Sequence, residues 1–474
     1  MGEPLKYRTD FDKHVVTCNF ERRGWERWDP RYDDDWHVFW ASVSTIKQIF
    51  APENGIRLGD HQIVNHFPNH YELTRKDLMV KNITRWRKAC EKEAALEANG
   101  AGQTNGNFNN TGMSATELLP KLDFVPATFS LPSDYSLFVE EFRRRPDRTW
   151  IMKPVGKAQG KGIFLINKLT QIKKWSNGYA AKDGSSAQWK SAEERRAENE
   201  KTESYIVSRY VQDPLLIGGK KFDLRVYVVV TSYRPLRAFT SRLGFARFCS
   251  VSYSEAKADM DNPFVHLTNV AIQKRNDDYN ESHGNKWPIH LLRLYIAGTR
   301  SESVADELFR GINEAIIYSL KSVQNVIIND RRCFELYGYD LLIDESLKPW
   351  LIEVNASPSL TCTTEADRRL KDRVIRDTLA VAVPPGKLEA AAAGVPLTTA
   401  MSRLSRGGRS NSVDVSGDAY EKDWARNGGV PESVLGTMDV LIDETNLGVG
   451  VRDIVGRRSG TAQMGRSVTR GVSR

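Results

Sequence analysis

The chain has 474 residues, 40% of them hydrophobic, and its 68 Lys plus Arg against 60 Asp plus Glu give a formal net charge of +8. That length supports two or three domains with a real core, and the positive balance favours an acidic partner: nucleic acid, an anionic membrane surface or an acidic protein segment. Five scattered cysteines, Cys18, Cys90, Cys249, Cys333 and Cys362, lack CxxC spacing, which argues against a disulfide framework or structural zinc and for a reducing compartment. The N-terminus has no apolar signal-like core, Lys6 stands where the myristoylation pattern requires Ser or Thr, and no run of about 18 apolar residues occurs. A soluble cytosolic protein without membrane insertion is expected.

In chain order, residues 1–80 are aromatic-rich, and GWERWDPRYDDDWHVFWASVSTIKQIF predicts a small unit of strands and a helix. A basic helical stretch over 75–97 leads into EANGAGQTNGNFNNTGMSA, whose Gly and Asn predict a mobile insertion near 97–118. WIMKPVGKAQGKGIFLI (150–166) reads as strand, glycine loop, strand. Lys153 ends the first strand, and Gly156, Gly160 and Gly162 leave backbone N–H groups free to approach an anion. The loop is not a Walker A motif, and a plain hairpin turn explains it equally well. A polar stretch over 176–203 predicts a second mobile insertion.

In GGKKFDLRVYVVV (218–230), strand alternation sets Lys221, Asp223 and Arg225 on one face and Phe222, Leu224 and Val226 on the other. Such a row is either a salt-bridged solvent face or the wall of a charged cleft. Arg247 in RLGFARF, and Thr268, Asn269 and Lys274 in HLTNVAIQK, add polar groups downstream. Two apolar strands follow, YGYDLLID (337–344) and PWLIEVN (349–355), joined by a short polar turn. A hairpin symmetric about Ser346 and Leu347 sets Asp340 opposite Glu353, with Cβ atoms roughly 5 Å apart, and turns Glu353 and Asn355 away from Ile352 and Val354. Two carboxylates that close repel unless a cation sits between them, and Asp, Glu and Asn supply the hard oxygen ligands that Mg²⁺ takes together with phosphate. The other reading is a solvated pair on an exposed hairpin.

Beyond about residue 385 low-complexity sequence such as SRLSRGGRSNS predicts a disordered tail, whose deletion is expected to leave stability nearly unchanged. No Ser-His-Asp or Cys-His constellation is evident, and His66, His70 and His266 read as packing or hydrogen-bonding groups. The absence of zinc-finger, RNP-like or KH signatures argues against nucleic acid as the acidic partner.

Taken in order, WIMKPxxxxxGKGI, YIVSRYVQDPLLI, KFDLRVYV, RLGFARF, FVHLTN, YGYDLLID and WLIEVNASPSL resemble the tubulin–tyrosine ligase-like family of ATP-grasp amino-acid ligases, from about residue 20 to 385. GDHQIVNHFPNHYELTRKDLMVKN is most similar to the branch that supplies the catalytic subunit of a tubulin polyglutamylase complex.

The resemblance implies an α+β, ATP-grasp fold: an N-terminal α/β domain (1–80), a central lobe (81–205), a C-terminal lobe (206–385) and the tail (386–474). It implies ATP and Mg²⁺, with Lys153 and Lys221 on the phosphates, Gln159, Gly160, Lys161 and Gly162 closing over them, and Asp223, Thr268 and Asn269 in the nucleotide pocket. Ser208, Arg209, Tyr210 and Val211 would form the adenine hinge, where relatives often carry Gln; the shorter Ser208 is expected to cost one adenine contact. Asp340, Glu353 and Asn355 match metal-binding positions, and Arg225, Lys221 and Glu353 would serve phosphoryl transfer.

By the same resemblance Arg247 and Lys274 would take the carboxylates of free glutamate. The acceptor would be the acidic C-terminal tail of tubulin, reached with the help of non-catalytic partner subunits, in the cytoplasm and cytoskeleton and at cilia or basal bodies. A glycine ligase is one alternative, since the family adds different amino acids on one scaffold and Val270 and Ala271 replace the Tyr-Ser common in glutamylating relatives; a non-catalytic microtubule- or complex-binding member that has kept the fold is the other.

Overall fold

The computed structural model describes residues 4–31, 35–99, 108, 111–157, 159–172, 204–282, 284–384, 387–388 and 432–445. Within these, fifteen strands form three sheets, with helices packed against them, in keeping with the expected α+β class. The first sheet is parallel, in the order β2-β1-β3-β4 (β1, Lys6–Thr9; β2, Glu26–Arg27; β3, Val38–Trp40; β4, Ile63–Val64). A bridge from Val64 to Cys333 links it to the C-terminal part of the chain.

The second sheet is antiparallel, in the order β5-β8-β6-β7 (β5, Thr128–Leu131; β6, Trp150–Pro154; β7, Phe164–Ile166; β8, Tyr205–Arg209). The helix Tyr135–Arg144 lies on it through Phe138 and Phe142, one turn apart, and Phe138 meets Trp150 edge-on with ring centroids 5.1 Å apart.

The third sheet runs β12-β11-β10-β13-β14, with β9 beside β10 and β15 beside β11 (β9, Leu216–Ile217; β10, Lys220–Tyr233; β11, Leu236–Phe248; β12, Lys286–Pro288; β13, Glu335–Ile343; β14, Pro349–Asn355; β15, Met438–Asp443). Alternation along β10 points Phe222, Leu224, Val226, Val228 and Val230 into the main core. The helix Glu302–Val323 joins that core through Ala305, Leu308, Ile312, Ile316, Leu320 and Val323, a 3.6-residue stripe started by the Ser301 hydroxyl capping Val304 N–H at 3.2 Å. The helix Lys76–Ala98, matching the expected helical stretch, adds Met79, Ile83, Trp86 and Cys90 to the same core.

Two expectations change. Of the insertion expected near 97–118, residues 100–107 and 109–110 lie outside the described residues, but 111–118 are docked: Met113, Ala115 and Leu118 are buried. Ser114 and Glu117 form a capping box on Ala115–Leu118, and Glu97 accepts from Ala115 N–H at 3.0 Å and Thr116 N–H at 2.9 Å. The insertion expected over 176–203 lies outside the described residues.

Most of the tail expected to be disordered also lies outside them, but residues 432–445 are ordered and contradict that reading where they fall. TMDVLIDE is a short strand-forming run set in low-complexity sequence, and it adds β15 to the outer edge of β11. Met438, Leu441 and Ile442 are buried, Glu444 pairs with the buried Lys321, and Asp377 accepts from Thr437 N–H at 2.8 Å. Truncation at residue 385 is therefore expected to lower the thermal midpoint markedly, since three buried apolar side chains contribute about 1.5–3 kcal/mol each. A truncated protein melting with the full chain in a calorimeter would contradict the packing role of β15.

Candidate active site

Between the second and third sheets lies a cleft of about 110 Å³. It is lined by Lys153 from β6, Ser208 and Arg209 from β8, Tyr210 and Val211 just beyond, Lys221 and Asp223 from β10, Thr268 and Asn269, and Asp340 and Glu353. Thirteen of the expected residues thus converge: these eleven together with Gln159 and Gly160. The row on β10 is buried rather than a solvent face: Lys221 and Asp223 line the cleft, and Arg225 lies outside its lining.

Lys153 and Lys221 are buried ammonium groups without a carboxylate ion-pair partner among the described residues. The Lys221 ammonium donates to Tyr210 Oη at 2.8 Å and to the His266 carbonyl at 3.1 Å. Burial lowers both lysines to about 8, only partly opposed by Glu353 near Lys153 and, more weakly, by Asp223 near Lys221. A buried cation without a counter-charge is costly, and a polyphosphate in the cleft would supply that charge. The loop beside them has the required freedom: Gln159, Gly160 and Gly162 adopt φ values of 63°, 75° and 74°. A Cβ on Gly160 would stand 2.4 Å from Ile272 Cδ1 and 3.1 Å from Asn269 Oδ1, so the loop lies directly on the segment carrying Thr268 and Asn269. Lys161 and Gly162 belong to this loop but do not line the cleft, and Ala158 lies outside the described residues.

At the expected hinge, Ser208 Oγ pairs with Thr128 Oγ1 at 2.8 Å, so its hydroxyl is engaged by the neighbouring strand. Arg209 N–H and Tyr210 N–H donate to the carbonyls of Ala127 and Thr149 at 2.8 and 3.0 Å. His266, also in the wall, receives or donates a 2.9 Å hydrogen bond at Nδ1 with Tyr210 Oη.

The carboxylates stand on the third sheet with Lys221, whereas Lys153 belongs to the second. Asp340 faces Glu353 across β13 and β14, as the hairpin reading expects. The route differs, because the turn pairs Ile343 with Pro349 and a one-residue bulge at Ile352 restores the register. The bulge also brings Ile352 into the cleft wall rather than onto the far face with Val354. Asp340 is held by two arginines: Arg225 donates through Nε at 2.6 Å and Nη2 at 3.0 Å, and Arg247 Nη2 lies 2.9 Å away. Arg247 in turn grips Asp223, with Nε at 2.7 Å from Oδ1. These arginines hold the Asp340 carboxyl far below the usual carboxylate range despite burial.

Glu353 pairs with Lys76 at 3.0 Å and accepts from Asn355 Nδ2 at 3.3 Å. Lys76, at the start of a helix some 280 residues earlier in the chain, is the cleft cation that sequence reading misses; its RKD context gives no local cue. The donor set fits a hard divalent cation: Asp340 and Glu353 carry spare lone pairs, and the side-chain carbonyl of Asn355 is left over when its amide donates to Glu353 and Gly338.

Arg225, Arg247 and Asn355 stand outside the cleft lining, the first two one step along the buried row from it. Lys274 does not line the cleft. It caps the short helix Val270–Gln273 and is exposed. His66 and His70 are buried as packing groups: His66 Nδ1 lies 2.5 Å from Glu335 Oε1, Phe67 N–H donates to the same carboxylate at 2.9 Å, and His70 Nδ1 lies 3.1 Å from the Phe67 carbonyl. Their ring nitrogens and Glu335 come within 4.8 Å of one another, but these bonds already tie the 65–70 loop to β13.

The family model described as the tubulin-tyrosine ligase family matches residues 55–390, most of the chain. The chain belongs to the tubulin-tyrosine ligase family. Among relatives, a probable alpha-tubulin polyglutamylase of Tetrahymena thermophila is 51% identical over 383 residues, covering 81% of this chain and 87% of its own. A probable tubulin polyglutamylase of Bos taurus is 42% identical, covering 79% and 78%. A tubulin polyglutamylase of Homo sapiens is 35% identical over 78% of this chain and 25% of its own much longer one. The match to the tubulin-tyrosine ligase family takes in all of the expected site residues, and the ATP-grasp-like arrangement of two sheets around a cleft accords with it.

The two lysines make anion binding pH-dependent. Their folded value of about 8 lies below the ordinary 10.5, so the cost of charging them in the empty protein is fully present below pH 8 and is relieved as pH rises towards 10.5. A triphosphate needs the charged forms, so its affinity, measured by calorimetric titration, is expected to fall about tenfold or more between pH 7 and 9.5. Lys153→Met is expected to remove most nucleotide binding while raising the melting temperature of the nucleotide-free protein.

Proposed function

We propose that this protein is an ATP-dependent ligase that adds glutamate to glutamate side chains in the C-terminal tails of tubulin. The observation that carries the reading is the meeting, in one cleft, of two buried lysines without an ion-pair partner among the described residues and a carboxylate pair suited to a metal. Membership of the tubulin-tyrosine ligase family makes the chain a ligase, and the names of its relatives support tubulin as acceptor and glutamate over glycine. The net charge of +8 suits an acidic tail, and the cytoskeleton, including cilia, is where such a substrate is met. Among the described residues no helix is long and apolar enough to cross a membrane.

In this reading Lys153 and Lys221 bind the ATP phosphates, the 159–162 loop covers them, and the 208–211 segment receives adenine. Asp340, Glu353 and Asn355 would hold Mg²⁺, which neutralises phosphate charge. A substrate carboxylate oxygen attacks the γ-phosphorus and ADP leaves; the amine of the second substrate then attacks the acyl carbon, phosphate departs, and the amine nitrogen loses a proton. In the same reading Arg225 and Lys221 are the cations that stabilise charge on the transferring phosphoryl group. The division into an N-terminal domain to residue 80, lobes meeting near 205 and a tail after 385, with partner subunits assisting docking, belongs to the same proposal.

Glu353→Gln tests it. The amide is nearly isosteric, so the fold is expected to survive, while ATP-dependent incorporation of labelled glutamate into tubulin should drop about 100-fold or more. Normal turnover with normal Mg²⁺ dependence in that variant would remove Glu353 from the site.

A further inference from the structure

A relay of hydrogen bonds with one fixed direction runs through the wall of the cleft. The Lys221 ammonium can only donate, and it does so to Tyr210 Oη at 2.8 Å and to the His266 carbonyl at 3.1 Å. At the far end His266 Nε2 lies 3.0 Å from the Asp259 carbonyl, which can only accept. Nε2 therefore carries the ring proton, and Nδ1 of the neutral ring is left as an acceptor. Nδ1 stands 2.9 Å from Tyr210 Oη, so the phenolic proton points to the ring and an oxygen lone pair points to Lys221.

We propose that His266 is a positioning residue for nucleotide binding, which aims the Lys221 ammonium at phosphate directly through its carbonyl and, by way of Tyr210, through its imidazole. The inference rests on the reading of Lys221 as a phosphate-binding cation.

Three observations carry it. The two bonds take two of the three ammonium protons, leaving one to donate into the cleft that Lys221 lines. Next, the relay needs a neutral imidazole and a protonated phenol, and the surroundings favour both. His266 is buried, and burial together with the Lys221 charge lowers its pKa below the ordinary 6.5, opposed without reversal by the Asp259 carbonyl and carboxylate. Tyr253 faces the ring edge-on at 6.0 Å between centroids, but its own proton goes to the Gln212 carbonyl at 2.7 Å. Burial pushes the Tyr210 hydroxyl well above the ordinary 10, so it keeps its proton.

Finally, the relay joins three separate parts of the pocket. Tyr210 belongs to the 208–211 segment, Lys221 to β10, and His266 ends the short helix Pro263–His266, just before Thr268 and Asn269. The glycine loop rests on that last segment at Asn269 and Ile272. A shift of the imidazole is thereby felt at the lysine and at the loop together.

The experiment is calorimetric titration of the full chain with Mg²⁺ and a non-hydrolysable ATP analogue from pH 7 to 9.5. His266→Asn sets an amide oxygen close to the place of Nδ1 and keeps the acceptor for Tyr210, whereas His266→Gln reaches towards the Asp259 carbonyl and loses that acceptor. Tyr210→Phe removes the link itself. Without an acceptor the charged lysine is less favoured, so Tyr210→Phe is expected to weaken binding at pH 7 about tenfold and to move its alkaline fall about one pH unit lower. His266→Gln should lose about fivefold or more with a shift in the same direction, while His266→Asn stays within about twofold of the natural chain. Adding His266→Gln to Tyr210→Phe should cost nothing further, because both act through one bond. Unchanged affinity in His266→Gln, equal losses in the Asn and Gln variants, an alkaline fall that does not move, or additive losses in the double variant overturns the positioning role. A natural chain that fails to bind the analogue overturns instead the reading of the cleft as a nucleotide site.

Discussion

The buried ion-pair chain from Asp223 through Arg247 and Asp340 to Arg225 is the constraint on which the site is built. Four charges packed against a sheet core are tolerable only when each finds its opposite, and removing one member leaves another uncompensated. The chain fixes the strands' relative positions at the charged end of β10, where apolar packing gives way to polar contacts. Farther along the same face, Tyr227 and Val229 return to a hydrophobic cluster under the helix Glu365–Ala382. One strand face therefore serves as site for half its length and as core for the other half.

The same chain places the site's demands in competition. Asp340 has its oxygens on two arginines, and Arg247 is shared by two aspartates. In the proposed ligase a cation taking a share of Asp340 would loosen its claim on Arg247, which would link metal loading to the availability of Arg247 for a substrate carboxylate. Lys153 and Lys221 are in the reverse condition, buried cations without a carboxylate ion-pair partner among the described residues.

Much of this is legible in the sequence because the decisive residues lie on strands. Period-two alternation sets Lys221, Asp223 and Arg225 on one face, and a short turn brings Asp340 opposite Glu353; the bulge at Ile352 is invisible because nothing in WLIEVN marks it. Contacts between distant elements are not legible. Lys76 meets Glu353 from a separate helix, and a three-residue strand brings Lys286 beside Arg247 from 39 positions later. Composition misleads at both ends of the scale: Gly and Asn hide the docked segment 111–118, and Arg and Ser surround the six residues of β15.

That last strand has a consequence for biosynthesis. β11 ends at Phe248, but the segment that covers its outer edge begins at Met438, so during translation the edge stands open while roughly 190 further residues are made, about 10–40 s at ordinary elongation rates. Through that interval β11 offers unpaired N–H and C=O groups to any neighbouring nascent chain or chaperone. The large sheet is thus among the last parts of the molecule to close, and ribosome spacing and chaperone supply bear on the yield of folded protein more than they would for a sheet finished by its own hairpins.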